Sequence, residues 1–127
     1  MVPYAATTRG VTVTVRPVYL DDPSDFFEKR FVFAYFISIE NHTDEPVQLL
    51  RRYWRIEEAD GSVREVEGAG VIGQQPVIKP GHAHIYSSYC ILSSLSGTME
   101  GYYLMRSADG RRFRVTIPRF DLRVAAN

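Results

Sequence analysis

Lysine is nearly missing from this chain: of 15 basic side chains only Lys29 and Lys79 are lysines, and the other 13 are arginines. Cysteine is scarcer still, with Cys90 alone, so no internal disulfide can form and an intracellular compartment is the expectation. Net charge is absent too. Fifteen basic against 15 acidic groups sum to zero, which removes the electrostatic footprint of a nucleic-acid or anionic-membrane binder. The longest unbroken apolar run, Phe31 to Ile37, is far short of the ~20 residues a spanning helix needs. The opening Met1-Val2-Pro3-Tyr4-Ala5 has neither the basic nor the apolar region of a secretory leader. These absences lead to the expectation of a soluble, cytoplasmic, single domain over residues 1–127.

What is present favours strands. Tyrosine (8), phenylalanine (7) and tryptophan (1) make 16 aromatic residues, which favours strands over helices. The hydrophobic period is two almost everywhere. Val11, Val13 and Val15 alternate with Thr12, Thr14 and Arg16. Phe31, Phe33, Tyr35, Ile37 and Ile39 form a longer alternation, and its other face, Val32, Ala34 and Phe36, is also apolar, which predicts a strand covered on both sides. Leu50, Trp54 and Ile56 share one parity, and Arg51, Tyr53, Arg55 and Glu57 the other. Ala59-Asp60-Gly61 and Ala108-Asp109-Gly110 read as tight hairpin turns, and Pro80-Gly81 launches a strand from Ala83 to Leu92. Asp22 to Glu28 reads as a loop with at most one helical turn. The result is an all-β chain, a seven-stranded antiparallel β-sandwich, with Val13, Phe33, Tyr35, Ile37, Trp54 and Val115 facing inward.

One loop looks like a phosphate-binding motif. Gly68-Ala69-Gly70-Val71-Ile72-Gly73 fits GxGxxG, a pattern whose glycines let backbone N–H groups approach a pyrophosphate ahead of a helix N-terminus. Here Pro76 and Pro80 follow closely and forbid that helix, and the loop holds no cation. The expectation is a structural, glycine-rich crossover between two sheets, with a weak anion nest at Gly68, Gly70 and Gly73 as the alternative.

Several motifs in one order carry a resemblance. Gly68 to Pro76, Ile78-Lys79-Pro80-Gly81, Tyr86-Ser87-Ser88-Tyr89-Cys90-Ile91-Leu92 and Gly97-Thr98-Met99-Glu100-Gly101-Tyr102-Tyr103 resemble the bacterial ApaG family. Phe33-Ala34-Tyr35, Glu45 to Leu50, and Arg52-Tyr53-Trp54 with Asp60-Gly61 continue the match upstream. The resemblance implies a fibronectin type III-like sandwich. It also implies a partner-binding module, since the domain occurs in certain F-box proteins and in a polymerase-delta-interacting protein. A loose association with cobalt resistance and magnesium efflux comes with it. Ala69 and Gln74 stand where family members often carry glutamates, Tyr89 replaces a common glycine, and His84 an aromatic or apolar residue. The loop therefore lacks carboxylates for a divalent ion.

Other chemistry finds little support. His82, His84 and Cys90 share a strand parity, but six residues of strand span roughly 20 Å, and His42 lies in a separate turn. The spacing does not make a zinc site, and no metal or other cofactor is expected. The serines lack a nucleophile elbow, Cys90 reads as a small buried hydrophobe, and no paired carboxylates occur, so no catalytic residue is assigned and no enzyme is expected. Glu100, an acid within an apolar strand, is expected to pair with Arg52 or Arg106. Arginines from Arg106 to Arg123 beside Tyr102 and Tyr103 have the look of a basic nucleic-acid face. Cross-strand pairing with Glu57, Glu58, Asp60, Glu65 and Glu67 is the simpler account, and neither nucleic acid nor membrane is expected as a partner. That leaves a non-enzymatic module, monomeric or weakly homo-oligomeric, whose protein partner meets a sheet surface of Arg51, Tyr53, Arg55, Arg112 and Arg114. The alternatives are the nucleotide or pyrophosphate loop and a divalent-metal homeostasis factor.

Overall fold

Nine strands build the protein in the computed structural model, which describes residues 3–124. In chain order they are β1 (Tyr4–Thr8), β2 (Val11–Asp25), β3 (Arg30–Asn41), β4 (Val47–Glu58), β5 (Val63–Ala69), β6 (Val77–Ile78), β7 (Ala83–Leu92), β8 (Ser96–Ser107) and β9 (Arg112–Arg123). One sheet runs β1-β2-β3-β7 and the other β5-β4-β8-β9, with β6 also paired to β4, and every pairing is antiparallel. The all-β sandwich is as expected, but the count is nine rather than seven. The two additions are β1, an edge strand without apolar alternation, and β6, two residues long. The leader reading of Met1 and Val2 falls outside the described residues.

The core forms where the inward parities of the two sheets meet. Val13, Phe33, Tyr35, Ile37, Trp54 and Val115 are all buried, as the alternation predicts. Trp54 meets Tyr35 edge-on at 5.4 Å between ring centroids and Phe120 at 5.8 Å. Such tilted aromatic pairs let the negative ring face meet a positive ring edge.

Three local expectations need correction. Leu50 does not share the parity of Trp54: the register passes from Leu49↔Met105 to Arg51↔Leu104, so Leu50 is an extra residue in a bulge and Leu49 is the buried one. Asp22 to Asp25 is strand, not loop. There the Ser24 hydroxyl donates to the Leu20 carbonyl (2.6 Å) and accepts the Val32 N–H (2.9 Å) across an irregular register. The outer face of β3 is only partly covered: Val32 is buried, but Phe36 is 46% exposed.

The two long sides of the sandwich differ. Along β1 and β9, the Thr116 N–H donates to the Thr8 hydroxyl (3.1 Å) and the Asp121 N–H to the Tyr4 hydroxyl (3.4 Å), so side chains close that seam. Between β5 and β7 lies an open cleft of 460 Å³ whose lining includes Tyr35, Arg52, Trp54, Arg64, Ser88 and Cys90.

Candidate functional site

The proposed surface residues do come together. Outward side chains of β4 fall into cross-sheet rows with β5, β8 and β9: Ala69, Arg51, Leu104 and Arg114 in one, Glu67, Tyr53, Tyr102 and Thr116 in the next. Tyr53 and Tyr102 stack at 4.9 Å with an interplanar angle of 27°. Arg114 lies over the Tyr102 ring at 4.2 Å, a cation–π contact worth roughly 0.5–1 kcal/mol when exposed. Arg51 approaches Glu67 at 3.9 Å, and Arg55 contacts Glu57 at 2.9 Å and Glu100 at 3.7 Å. Partial desolvation, then the neighbouring Glu65 carboxylate, raises the Tyr53 phenol above its ordinary value and keeps it a neutral donor. Arg112 pairs in register with Arg106, whose guanidinium donates to the Gln48 amide oxygen (2.7 Å). Neither Arg106 nor Arg112 has a carboxylate in salt-bridge range among the described residues.

The charge pairing differs from expectation in two respects. Glu100 pairs with Arg55, because the β4–β8 register sets those two residues opposite each other; Arg52 and Arg106 lie elsewhere. Of the C-terminal arginines, Arg111 reaches Asp109 in its own turn and Arg123 reaches Asp121 on its own strand. The acidic hairpin instead engages Arg51, Arg55 and Arg64 from β4 and β5. Arg114 and Arg112 therefore stay available on the face.

The glycine run is a hairpin, not the crossover. Val71 and Gln74 exchange backbone hydrogen bonds (2.8 and 3.0 Å) around Ile72 and Gly73, both at positive φ (47° and 71°), and β6 then returns the chain to β4. The passage between sheets comes later, between Ile78 and Ala83. Gly70, at φ +63°, could not carry a Cβ, which would lie 2.1 Å from the Gln74 carbonyl oxygen. Gly68 leaves room for Arg52, whose guanidinium donates to the carbonyls of Ala69 (3.1 Å) and Gly70 (3.0 Å). The Gly70, Val71 and Gln74 N–H groups bond the carbonyls of Leu50, Gln74 and Val71, so these three donors serve the hairpin's own closure.

Several organising residues escaped sequence reasoning. Glu58 is buried; its Oε1 accepts the N–H groups of Ser93 (2.8 Å) and Ser94 (2.9 Å), while Oε2 faces Arg64 at 3.6 Å. Arg64 also donates to the Ile91 carbonyl and approaches the Cys90 sulfur (3.4 Å). Only the out-of-place acid at the inward parity of β4 could have flagged this cluster. Cys90 is buried as expected, and burial pushes its thiol up, away from thiolate chemistry. Burial lowers the His84 imidazole, and among the described residues no three His, Cys, Asp or Glu side chains converge as a metal site.

The match to known proteins is broad. An ApaG domain model matches residues 21–107. The chain belongs to the ApaG family. Protein ApaG of Brucella canis is 49% identical over 121 residues, covering 95% of this chain and 93% of that relative. Protein ApaG of Mesorhizobium japonicum is 50% identical over 119 residues, covering 94% and 92%. An ApaA protein of Bordetella pertussis has a similar crystal structure, with a TM-score of 0.89 at 38% identity over 92% of this chain and 95% of that one. The C-terminal domain of wzt, at TM-score 0.56 and 9% identity over 98% and 79%, shares the fold alone. The ApaG match includes β4, the glycine hairpin and β8, whereas Arg112 and Arg114 lie beyond its limits. No helix among the described residues is long and apolar enough to cross a membrane.

Proposed function

We propose that this chain is a non-enzymatic interaction module whose second sheet presents Arg51, Tyr53, Arg55, Tyr102, Arg112 and Arg114 to an acidic segment of another cytoplasmic protein. The observation that carries this reading is the Tyr53–Tyr102 stack under the Arg114 guanidinium, in the middle of an outward sheet face. Stacked rings lose little entropy on binding, and arginine and tyrosine anchor interfaces more often than other surface residues. Arg112 supplies charge without a carboxylate to compete for it, so an incoming Asp or Glu need not displace one there. With β1 and β6 set aside, the order β2-β3-β7 against β5-β4-β8-β9 is compatible with a fibronectin type III-like arrangement. The family's association with cobalt and magnesium is then an effect of the bound partner rather than of an ion held here.

The test is affinity capture from native lysate with the wild-type chain and with Arg51, Arg55 and Arg112 all changed to Glu. The triple variant is expected to fold normally and to lose the captured partner. Retention of that partner by the folded variant moves the binding surface off this sheet.

A further inference from the structure

Apart from the two-residue β6, the sandwich has four edge strands among the described residues, and three of them are protected. β1 and β9 are joined by the Thr8 and Tyr4 hydroxyls. β5 carries Arg64, Glu65 and Glu67 along seven residues. Charge of this kind is the usual device that keeps an exposed edge from pairing with another chain. β7 has none: Ala83-His84-Ile85-Tyr86-Ser87-Ser88-Tyr89-Cys90-Ile91-Leu92 contains no Asp, Glu, Lys, Arg or Pro, and it ends its sheet.

The free side of β7 has a defined register. The Asn41 N–H donates to the His82 carbonyl, so even-numbered residues of the following strand direct their backbone groups toward β3. The odd-numbered residues direct theirs outward, and Arg64 reaches the Ile91 carbonyl on that side. Ala83, Ile85, Ser87 and Tyr89 thus offer N–H and C=O groups to a further strand. Their side chains lie on the outer sheet face, where Ile85 is 73% and Tyr89 68% exposed beside Phe36.

We propose that the occupant of this edge is a second copy of the chain, paired β7 to β7 in antiparallel register about a two-fold axis at Ser87. The strand is self-complementary in that register. Ser87 faces Ser87 of the second copy and Ile85 faces Tyr89, each joining two residues with outward backbone groups; the pairing stops short of Ile91, whose carbonyl Arg64 already holds. Each Ile85–Tyr89 contact is an aromatic–β-branched cross-strand pair, a favourable combination on a pleated surface. Two four-stranded sheets become one of eight, and the bare edge disappears in a closed two-fold contact. This inference uses a different surface from the sheet face proposed above, so either can fail without the other.

Sedimentation of the full chain across rising concentration should show a reversible monomer–dimer equilibrium. Ser87→Cys should give an oxidised covalent dimer, since directly opposed hydrogen-bonded residues have Cα atoms about 5.5 Å apart, within disulfide reach. Ile85→Cys alone should not cross-link, whereas mixing it with Tyr89→Cys should. Ser87→Pro should abolish association with the fold retained, because its N–H faces away from β3. Ile85→Lys, fully outward, checks the same contact without touching the backbone. A chain that stays monomeric throughout overturns the proposal. So does a dimer that survives Ile85→Lys, or one that is lost on changing Arg51, Arg55 and Arg112 to Glu.

Discussion

Ile72 occupies a conformation that a β-branched side chain rarely takes, φ +47°, at the tip of the glycine hairpin and 63% exposed. With Gly73 it makes a two-residue loop of the kind that favours Asn-Gly. Ile72→Asn should therefore raise stability by about 1 kcal/mol, read from denaturant midpoints, by removing the left-handed penalty. Gly70→Val should do the reverse, since its Cβ meets the Gln74 carbonyl. Calorimetry with ATP, GTP, NAD or pyrophosphate is expected to show no tight binding to the wild type, because no helix follows the hairpin and Gly68 to Gly73 holds no cation. Low-micromolar affinity that disappears in Gly70→Ala would contradict this. At the core, Trp54→Ala should cost roughly 3–5 kcal/mol by removing contacts with Tyr35 and Phe120. The alternation identified Trp54 correctly as inward because nothing between Trp54 and Ile56 disturbs the period of two. It misplaced Leu50 because a bulge inserts one residue and leaves no compositional mark.

Turns and short connections act as elements with their own chemistry. Asp60 and Asp109 occupy equivalent places in the two Ala-Asp-Gly hairpins, each accepting a serine hydroxyl and a backbone N–H two residues on. Those bonds hold both carboxyls below their ordinary value of 3.8, the hydroxyl bond contributing most. A carboxyl depressed in the folded state stabilises fully above the unfolded value, and that contribution is lost as pH falls through the folded value. Thermal melts should accordingly weaken below pH 3.8, and the double variant Asp60→Asn, Asp109→Asn should flatten that slope. Glu58 does the corresponding work between β7 and β8. Glu58→Ala leaves the Ser93 and Ser94 N–H groups without their acceptor and should cost about 1–3 kcal/mol; Glu58→Gln, keeping one acceptor oxygen, should cost less. The turns were legible because Asp-Gly has a local cause. The Glu58 cluster was not, because it joins residues 35 positions apart in sequence.

At the scale of the whole molecule, the fold was more readable than the site. Alternation located the long strands and the inward aromatics, since each depends on a residue's near neighbours. The Arg51, Tyr53 and Arg55 face followed from one strand's parity, but the Tyr102 stack and the Arg114 contact needed the β4–β8–β9 register. The asymmetry of the two sides, closed along β1 and β9 and open along β5 and β7, was invisible to any local pattern. It sums contacts between segments far apart in sequence.

That closed seam has a consequence for the timing of synthesis. β1 emerges from the ribosome first and β9 last, yet they meet through Thr8–Thr116 and Tyr4–Asp121, and β9 supplies the buried Val115, Ile117, Phe120 and Leu122. Non-local pairing of this kind carries a loop-closure cost before any contact offsets it. Nascent chains arrested with β9 still inside the exit tunnel should remain open to protease along their whole exposed length. Protection should then arrive in one step on release, when β9 closes the seam and completes the core.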